Sequence, residues 1–371
     1  MTANLSTEDH TQTNTTLLDR AARHAAEADR SGYLHSTVVE ALHSSAIPAH
    51  FIGPRYGGGP GDFTSITRTI SDLAHACPAT AWLAAVAAYN ARFAGFLPQQ
   101  GQDEIWGDAN TALIASGLVP AGHAELTDTG DYRLSGTWKH VSGVESAQWV
   151  LLVAMTQQST TVPYLFAVPR RQITVRSTWN ALGMRATASH TVNIDTLEVP
   201  AHRATAHLPI LTGAASPSSP AGPAHSTPLM ALGGLTFLAP AYGAADELAR
   251  LLTRRTVGQA RAADKPVPES VSLALGHAAA AIDATRQVMN AITSDLDAGS
   301  GRDRAAVNAQ RAAYAATLLR EAMATLLPII GTADLAEHTD TQRLWRDVTV
   351  AVSHAALNFT KATTAYVGSI T

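Results

Sequence analysis

Residues 132–149 read YRLSGTWKHVSGVESAQW, and they decide how the rest of the chain divides. Tyr132, Leu134 and Gly136 alternate with Arg133, Ser135 and Thr137, the period-two pattern of a half-buried strand. Trp138, His140 and Ser142 follow at i, i+2 and i+4, so an extended chain would send all three side chains off one face. An indole, an imidazole and a hydroxyl so arranged can cover a flat aromatic ligand and hydrogen-bond its edge. The plainer alternative is a solvent-facing polar strand with one core tryptophan. Gly143 ends the run where backbone can approach a ligand closely.

Outward from this strand, short β-type runs fill residues 111–202: ALIASGL, WVLLVAM, PYLFAV, ITVRS and HTVNIDTLEV. Turn residues punctuate them and no helical pattern intervenes, which predicts an antiparallel β-domain, a barrel or sandwich. Before it, residues 15–110 carry helical periodicity, preceded by a polar stretch at 1–14 expected to be disordered. A helix is predicted over 63–76. A strongly apolar one follows over 79–97, with Pro78 in its first turn and Trp82, Tyr89 and Phe93 on one stripe. The stretch GPRYGGGPGD at 53–62 lacks G-x-G-x-x-G spacing and a Walker lysine, so it reads as a tight loop, not a phosphate cradle. After the β-domain, residues 203–228 are rich in Ala, Ser, Pro, Gly and His and are expected to be flexible. Helical patterns at 229–253, 268–296, 302–327 and 342–367 predict a C-terminal four-helix bundle over 229–371. The fold class is therefore α+β: N-terminal helical domain, middle β-domain, C-terminal bundle.

Composition narrows the function. Hydrophobic residues make up 46% and charged ones 15%, which describes a globular chain with a sparsely charged surface. A net charge of -4 gives no reason to expect nucleic acid or an anionic membrane as partner. The lone cysteine, Cys77, excludes an intrachain disulfide framework and a cysteine-based zinc site. The histidines are scattered, and no metal site is expected. Neither a secretory pattern nor a long apolar run is present, so a cytoplasmic location and no membrane span are expected. Broad alanine-rich helix faces favour an oligomer.

The order of parts and the residues at their joints resemble the acyl-CoA dehydrogenase fold. The segments that carry the likeness are CPATAWLAAV (77–86), GLVPAG (117–122), the 132–149 stretch, WNALGMRATAS (179–189), VNIDTLEVP and QRLWRDVTVAVSH (342–354). More narrowly, the chain is similar to the flavin-dependent monooxygenase branch, the oxygenase components of two-component systems. Its members include p-hydroxyphenylacetate and dibenzothiophene monooxygenases and sugar nitrososynthases. This implies reduced FMN or FAD supplied by a separate flavin reductase. It also implies oxygen transfer from O2 to a small-molecule substrate through a flavin C4a-hydroperoxide, and a homotetramer or homodimer. Natural-product tailoring or catabolism would be the setting. One alternative is an FAD dehydrogenase of the acyl-CoA type, which needs a carboxylate base such as Glu337. Another is a flavin-free binding or non-redox protein on the same fold.

The resemblance also implies site residues. Gly117, Leu118, Val141 and Ser142 would meet the rim of the flavin ring between the β-domain and the helices. Ser142 matches the serine beside flavin N5 and is the first catalytic candidate. Arg185 would meet a flavin phosphate, in a GMRATAS segment where Ala186 and Ala188 replace the family's glycines. Arg255 and Gln259 match a flavin contact made across a subunit boundary. His354, the second catalytic candidate, matches the histidine closing WRD-x6-H and would serve as acid or base near neutral pH. Arg346 and Asp347 are expected to pair with each other. Trp82, Tyr89, Asn90, Phe93 and His140 would line the substrate side. Aromatic hydroxylases of the branch carry a histidine near Asn90, and an amide exchanges no proton at neutral pH. That puts phenol hydroxylation in doubt, whereas amine or sulfur oxidation needs no such base. The bland alternatives are a turn serine, surface arginines, a core imidazole and core packing for the aromatic stripe.

Overall fold

The computed structural model of the protein describes residues 7–59, 61–157, 161–214 and 222–370. Five helices come first: α1 (Thr7–Ser31), α2 (Ser36–Ser44), α3 (Phe63–Ala76), α4 (Pro78–Ala94) and α5 (Gln99–Trp106). The disorder expected at 1–14 is corrected from residue 7 onward. Leu17, Ala21, Ala25 and Ala28 seat α1 in the core, and no glycine or proline interrupts it back to Thr7. Residues 1–6 lie outside the described ones. Helix α4 is buried on nearly every side and runs through the centre of the molecule.

Seven strands follow: β1 (Ile114–Leu126), β2 (Tyr132–Val141), β3 (Trp149–Gln157), β4 (Thr161–Pro169), β5 (Thr174–Arg176), β6 (His190–Val199) and β7 (Ala204–Ala206). They form one sheet in the order β5-β6-β2-β1-β3-β4-β7. The sheet is not wholly antiparallel as expected, because β1 and β3 pair parallel. Strand β2 turns back along one edge of β1. Residues 142–148 then carry the chain across to the other edge, where β3 resumes β1's direction. Successive residues of β3 face different cores. Leu151 and Val153 pack with the helices, while Val150, Leu152 and Ala154 pack within the β-layer.

The indole of Trp138 lies in that β-layer, not on a ligand face. Its Nε1 donates to Val153 O at 2.8 Å, and glycines face it on one side. A Cβ at Gly122 would come within 2.3 Å of the ring, and one at Gly117 within 3.0 Å of Trp138 Cβ. The glycines of GLVPAG are thus explained by the tryptophan they admit.

Short helices α6 (Leu208–Thr212) and α7 (Pro223–Ser226) lead to the bundle helices α8 (Leu229–Ala262), α9 (Glu269–Asp297), α10 (Ala305–Leu326), α11 (Asp340–Ala351) and α12 (Phe359–Ile370). Two expectations are corrected here. The described residues of 203–228 are ordered: β7 pairs with β4, and the buried Arg92 donates to Ala224 O and Thr227 O. Residues 215–221 of that stretch lie outside the described ones. The helix expected over 342–367 is two helices broken at 353–358. His354 and Asn358 there accept the backbone N–H groups of Ala356 and Lys361, which competes with helix continuation. Among the described residues, no helix is long and apolar enough to cross a membrane.

Candidate active site

The end of β2 breaks its own alternation. The β2–β6 register shifts between Trp138 and Val141, and His140 takes a left-handed φ of 60°. Trp138 and Val141 are therefore buried, His140 is exposed and Ser142 is half-buried. The expected common face of Trp138, His140 and Ser142 does not exist. His140 meets the ring of Trp179 edge-on at 5.9 Å instead. A left-handed non-glycine residue is strained, and such strain collects at functional sites.

Beyond the break, Ser142 Oγ accepts from Trp82 Nε1 at 3.2 Å and lies 2.8 Å from Ser189 Oγ. Trp82 reaches it from α4. The Trp82 ring also meets Phe237 of α8 at 4.7 Å and His354 at 5.6 Å, and Phe237 and His354 are 3.6 Å apart. Four separate elements thus meet around the Trp82 ring, where a crevice between them would lie. His354 is not inside a helix as expected; it caps the turn between α11 and α12, with Nδ1 accepting from Ala356 N at 3.2 Å. The proton of the neutral ring is then on Nε2. Burial, with His140 second, pushes the His354 pKa down to about 4. At neutral pH the ring is therefore neutral and offers Nε2–H as a hydrogen-bond donor.

The 179–189 loop is seated by α11. Arg346 and Asp347 do not pair with each other, because successive residues of a helix point apart. Arg346 forks onto Asp29 of α1 at 3.2 and 2.5 Å and donates to Leu182 O at 2.6 Å. Asp347 accepts Met184 N at 2.5 Å. At its other end the loop meets β2, where Gly143 N donates to Thr187 O at 2.8 Å.

Other expected site residues are placed as follows. Gly117 and Leu118 stand where β1 breaks its pairing with β3. Tyr89 packs against Phe51 and Phe63, and Phe93 is buried beside Arg92. Both lie farther along α4, in its core stripe. The amide of Asn90 donates to Ile114 O at 2.7 Å and accepts from Ser116 Oγ at 2.9 Å. Arg185 pairs with Glu337 at 3.6 Å, Arg255 pairs with Asp334, and Gln259 is exposed. Glu337 is 75% exposed and held by Arg185, and the 353–358 break carries no carboxylate beside the crevice, so a dehydrogenase base is lacking there. Phe237, Thr187 and Ser189 were missed from the sequence. Phe237 sits in an apolar helical run that reads as core, and the two hydroxyls carry no motif of their own. His24 and Glu27 of α1 and His35 before α2 bring ligating atoms within 4.8 Å of one another, with the two rings stacked at 3.9 Å. Parallel stacked rings do not aim their lone pairs at one point.

The family described as acyl-CoA dehydrogenase, C-terminal domain, matches residues 234–359. A pigment production hydroxylase from Rhodococcus sp. is 30% identical, over 94% of this chain and 95% of its own length. The chain belongs to the two-component flavin-dependent monooxygenases of the acyl-CoA dehydrogenase fold. The oxygenase component of an FADH(2)-dependent resorcinol hydroxylase from Rhizobium sp. is 27% identical over 92% of this chain and 88% of its own. The structure of XiaF from Streptomyces sp. with FADH2 and glycerol superposes at a TM-score of 0.86, covering 98% of this chain and 96% of that one at 27% identity. This monooxygenase is a reduced-flavin-dependent oxygenase component, served by a separate reductase and acting on a small molecule. Its crevice fits a flavin chemically. Trp82, Phe237 and His354 supply aromatic rings, and Ser142 supplies a hydroxyl with one hydrogen-bonding position, a lone pair or the proton, not taken by Trp82 or Ser189.

Proposed function

We propose that the flavin ring lies in this crevice with Ser142 at its N5 edge, and that substrate lies between the ring and the wall formed by Trp82, Phe237 and His354. The observation that carries the reading is the Trp82 indole: its N–H donates to Ser142 while its ring contacts His354, which supports both catalytic candidates serving one site. Reduced flavin supplies the electrons that activate O2. The chain's own residues position and shield. Ser142 holds the ring edge, the neutral His354 offers Nε2–H to a substrate heteroatom, and the aromatic wall excludes water. Gly117, Leu118 and Val141 would border the ring. Arg185 and Arg255 would reach its phosphates only by leaving Glu337 and Asp334.

The substrate class we propose is an electron-rich aromatic or heteroaromatic compound that needs no prior deprotonation. The engaged amide of Asn90 provides no base. Relatives named for resorcinol and indole-3-acetate lend support to an aromatic substrate. We also propose a homotetramer or homodimer. Helix α12 buries only Ala362 within the chain and leaves Phe359, Val367 and Ile370 exposed, and Leu273 of α9 is 73% exposed. The division into domains at 15–110, 111–202 and 229–371 is retained as part of this reading.

Anaerobic titration with reduced FMN and reduced FAD, followed by oxygen and a panel of indoles, phenols and amines, tests it. Binding of one flavin and turnover of an indole-type compound is the expected result. Failure to bind either flavin removes the reading.

A further inference from the structure

Ser142 is the end of a row of hydroxyls. Its Oγ lies 2.8 Å from Ser189 Oγ, Ser189 Oγ lies 2.8 Å from Thr187 Oγ1, and Thr187 Oγ1 donates to Met184 O at 2.8 Å. Ser189 and Thr187 are 5% and 1% exposed, so water does not break the row. Each hydroxyl has one proton and two lone pairs. One lone pair of Ser142 is taken by Trp82 Nε1–H, so the direction of the row fixes what Ser142 offers the crevice.

When Thr187 donates to Met184 O, Ser189 donates to Thr187 and Ser142 to Ser189. Ser142 then presents a lone pair. When the row turns over, Thr187 donates to Ser189 and Ser189 to Ser142, and Ser142 presents its proton. Turning over removes one donor from Met184 O. That carbonyl keeps Thr187 N at 3.1 Å and Trp179 Nε1 at 3.0 Å, so it is not left bare. Both directions are therefore satisfiable.

We infer that Ser142, Ser189 and Thr187 form a reversible hydroxyl wire, which makes Ser142 an acceptor toward reduced flavin and a donor toward oxidised flavin. The inference rests on the proposed placement of N5 at Ser142. Reduced flavin carries a proton on N5 and needs an acceptor there; oxidised flavin has a bare N5 and needs a donor. The direction with Thr187 donating to Met184 O matches the reduced ring. Met184 O gains the Thr187 hydroxyl only in the acceptor direction, so the row leans toward reduced flavin, and that lean favours capture of reduced flavin and release of oxidised flavin. Ser189 and Thr187 act through Ser142 and are positioning residues.

Thr187→Val removes the terminal hydroxyl at nearly constant shape. Ser189 then loses its acceptor and turns toward Ser142, which is fixed as a donor. Dissociation constants for reduced and oxidised flavin, measured on the full-length protein, should show the preference for reduced flavin falling by a factor of about five to ten. Thr187→Ser should restore it, and Thr187→Val should add nothing in a Ser142→Ala background. If Thr187→Val does not fold, Ser189→Ala cuts the same row; it frees Ser142 instead of fixing it as a donor, so the preference for reduced flavin should still fall, by a smaller factor. Ser142→Ala leaving both constants unchanged would show that N5 lies elsewhere, and the inference would go with the placement. Ser142→Ala shifting the constants while Thr187→Val keeps the ratio within about twofold would overturn the wire alone.

Discussion

Asp347 accepts the backbone N–H of Met184 at 2.5 Å, and through that bond α11 holds the loop that meets Ser142. The contact is close because Gly183 has no side chain: a Cβ there would lie 2.3 Å from Arg346 O. Met184 and Ala188, at φ of 53° and 43°, are left-handed residues kept in place by their surroundings.

Asp347→Ala leaves Met184 N unpaired in a buried junction and should destabilise the fold by about 2–4 kcal/mol. Asp347→Asn keeps an acceptor oxygen and should lose clearly less. Urea unfolding of the two variants checks this; equal losses would show that the hydrogen bond is not what matters.

Ser142→Ala should still bind flavin but release more hydrogen peroxide per reduced flavin consumed, with product falling in proportion. Peroxide and product assays on one sample measure the split. An unchanged split removes Ser142 from the chemistry.

His354→Ala removes both the cap on the 355–357 turn and the Nε2 donor. The cap contributes about 1 kcal/mol. His354→Asn restores a capping acceptor, so it should recover stability without turnover. Recovery of turnover by Asn would make His354 a capping residue only.

His140→Gly relieves a left-handed backbone and should stabilise the fold by up to about 1 kcal/mol while lowering activity. Loss of stability on this change would mean that the His140 ring contributes more to packing than its backbone strain costs.

Burial lowers the pKa values of five histidines: His50, His190, His207 and His354, the last two to about 4, and His225 to about 3, where Arg92 adds to the effect. Their folded values lie below the unfolded value of about 6.5. The stability gained by keeping them neutral is present above pH ~6.5 and is lost as pH falls toward 4. Asp347 works the other way. Burial raises it to about 6, so between pH ~4 and ~6 its protonation favours the fold. The histidines outnumber it, and stability should fall by roughly 1–3 kcal/mol per pH unit below about 6.5. Urea unfolding at three pH values between 7.5 and 5 gives the slope; a flat or inverted profile contradicts it.

Periodicity and turn chemistry alone determined the three-part order, the apolar α4 and the start of α3, because local pattern follows which face must be buried. The likeness at the joints added the family and singled out Ser142 and His354. Only the tertiary structure decided the rest. Whether Trp138 and His140 share a face depends on one left-handed residue at a register shift, which a period-two pattern does not encode. That Arg346 finds its carboxylate in Asp29 depends on α1 lying opposite α11. Phe237, Ser189 and Thr187 enter the site through neighbours far away in the chain, and a crevice between four elements exists only once they have packed.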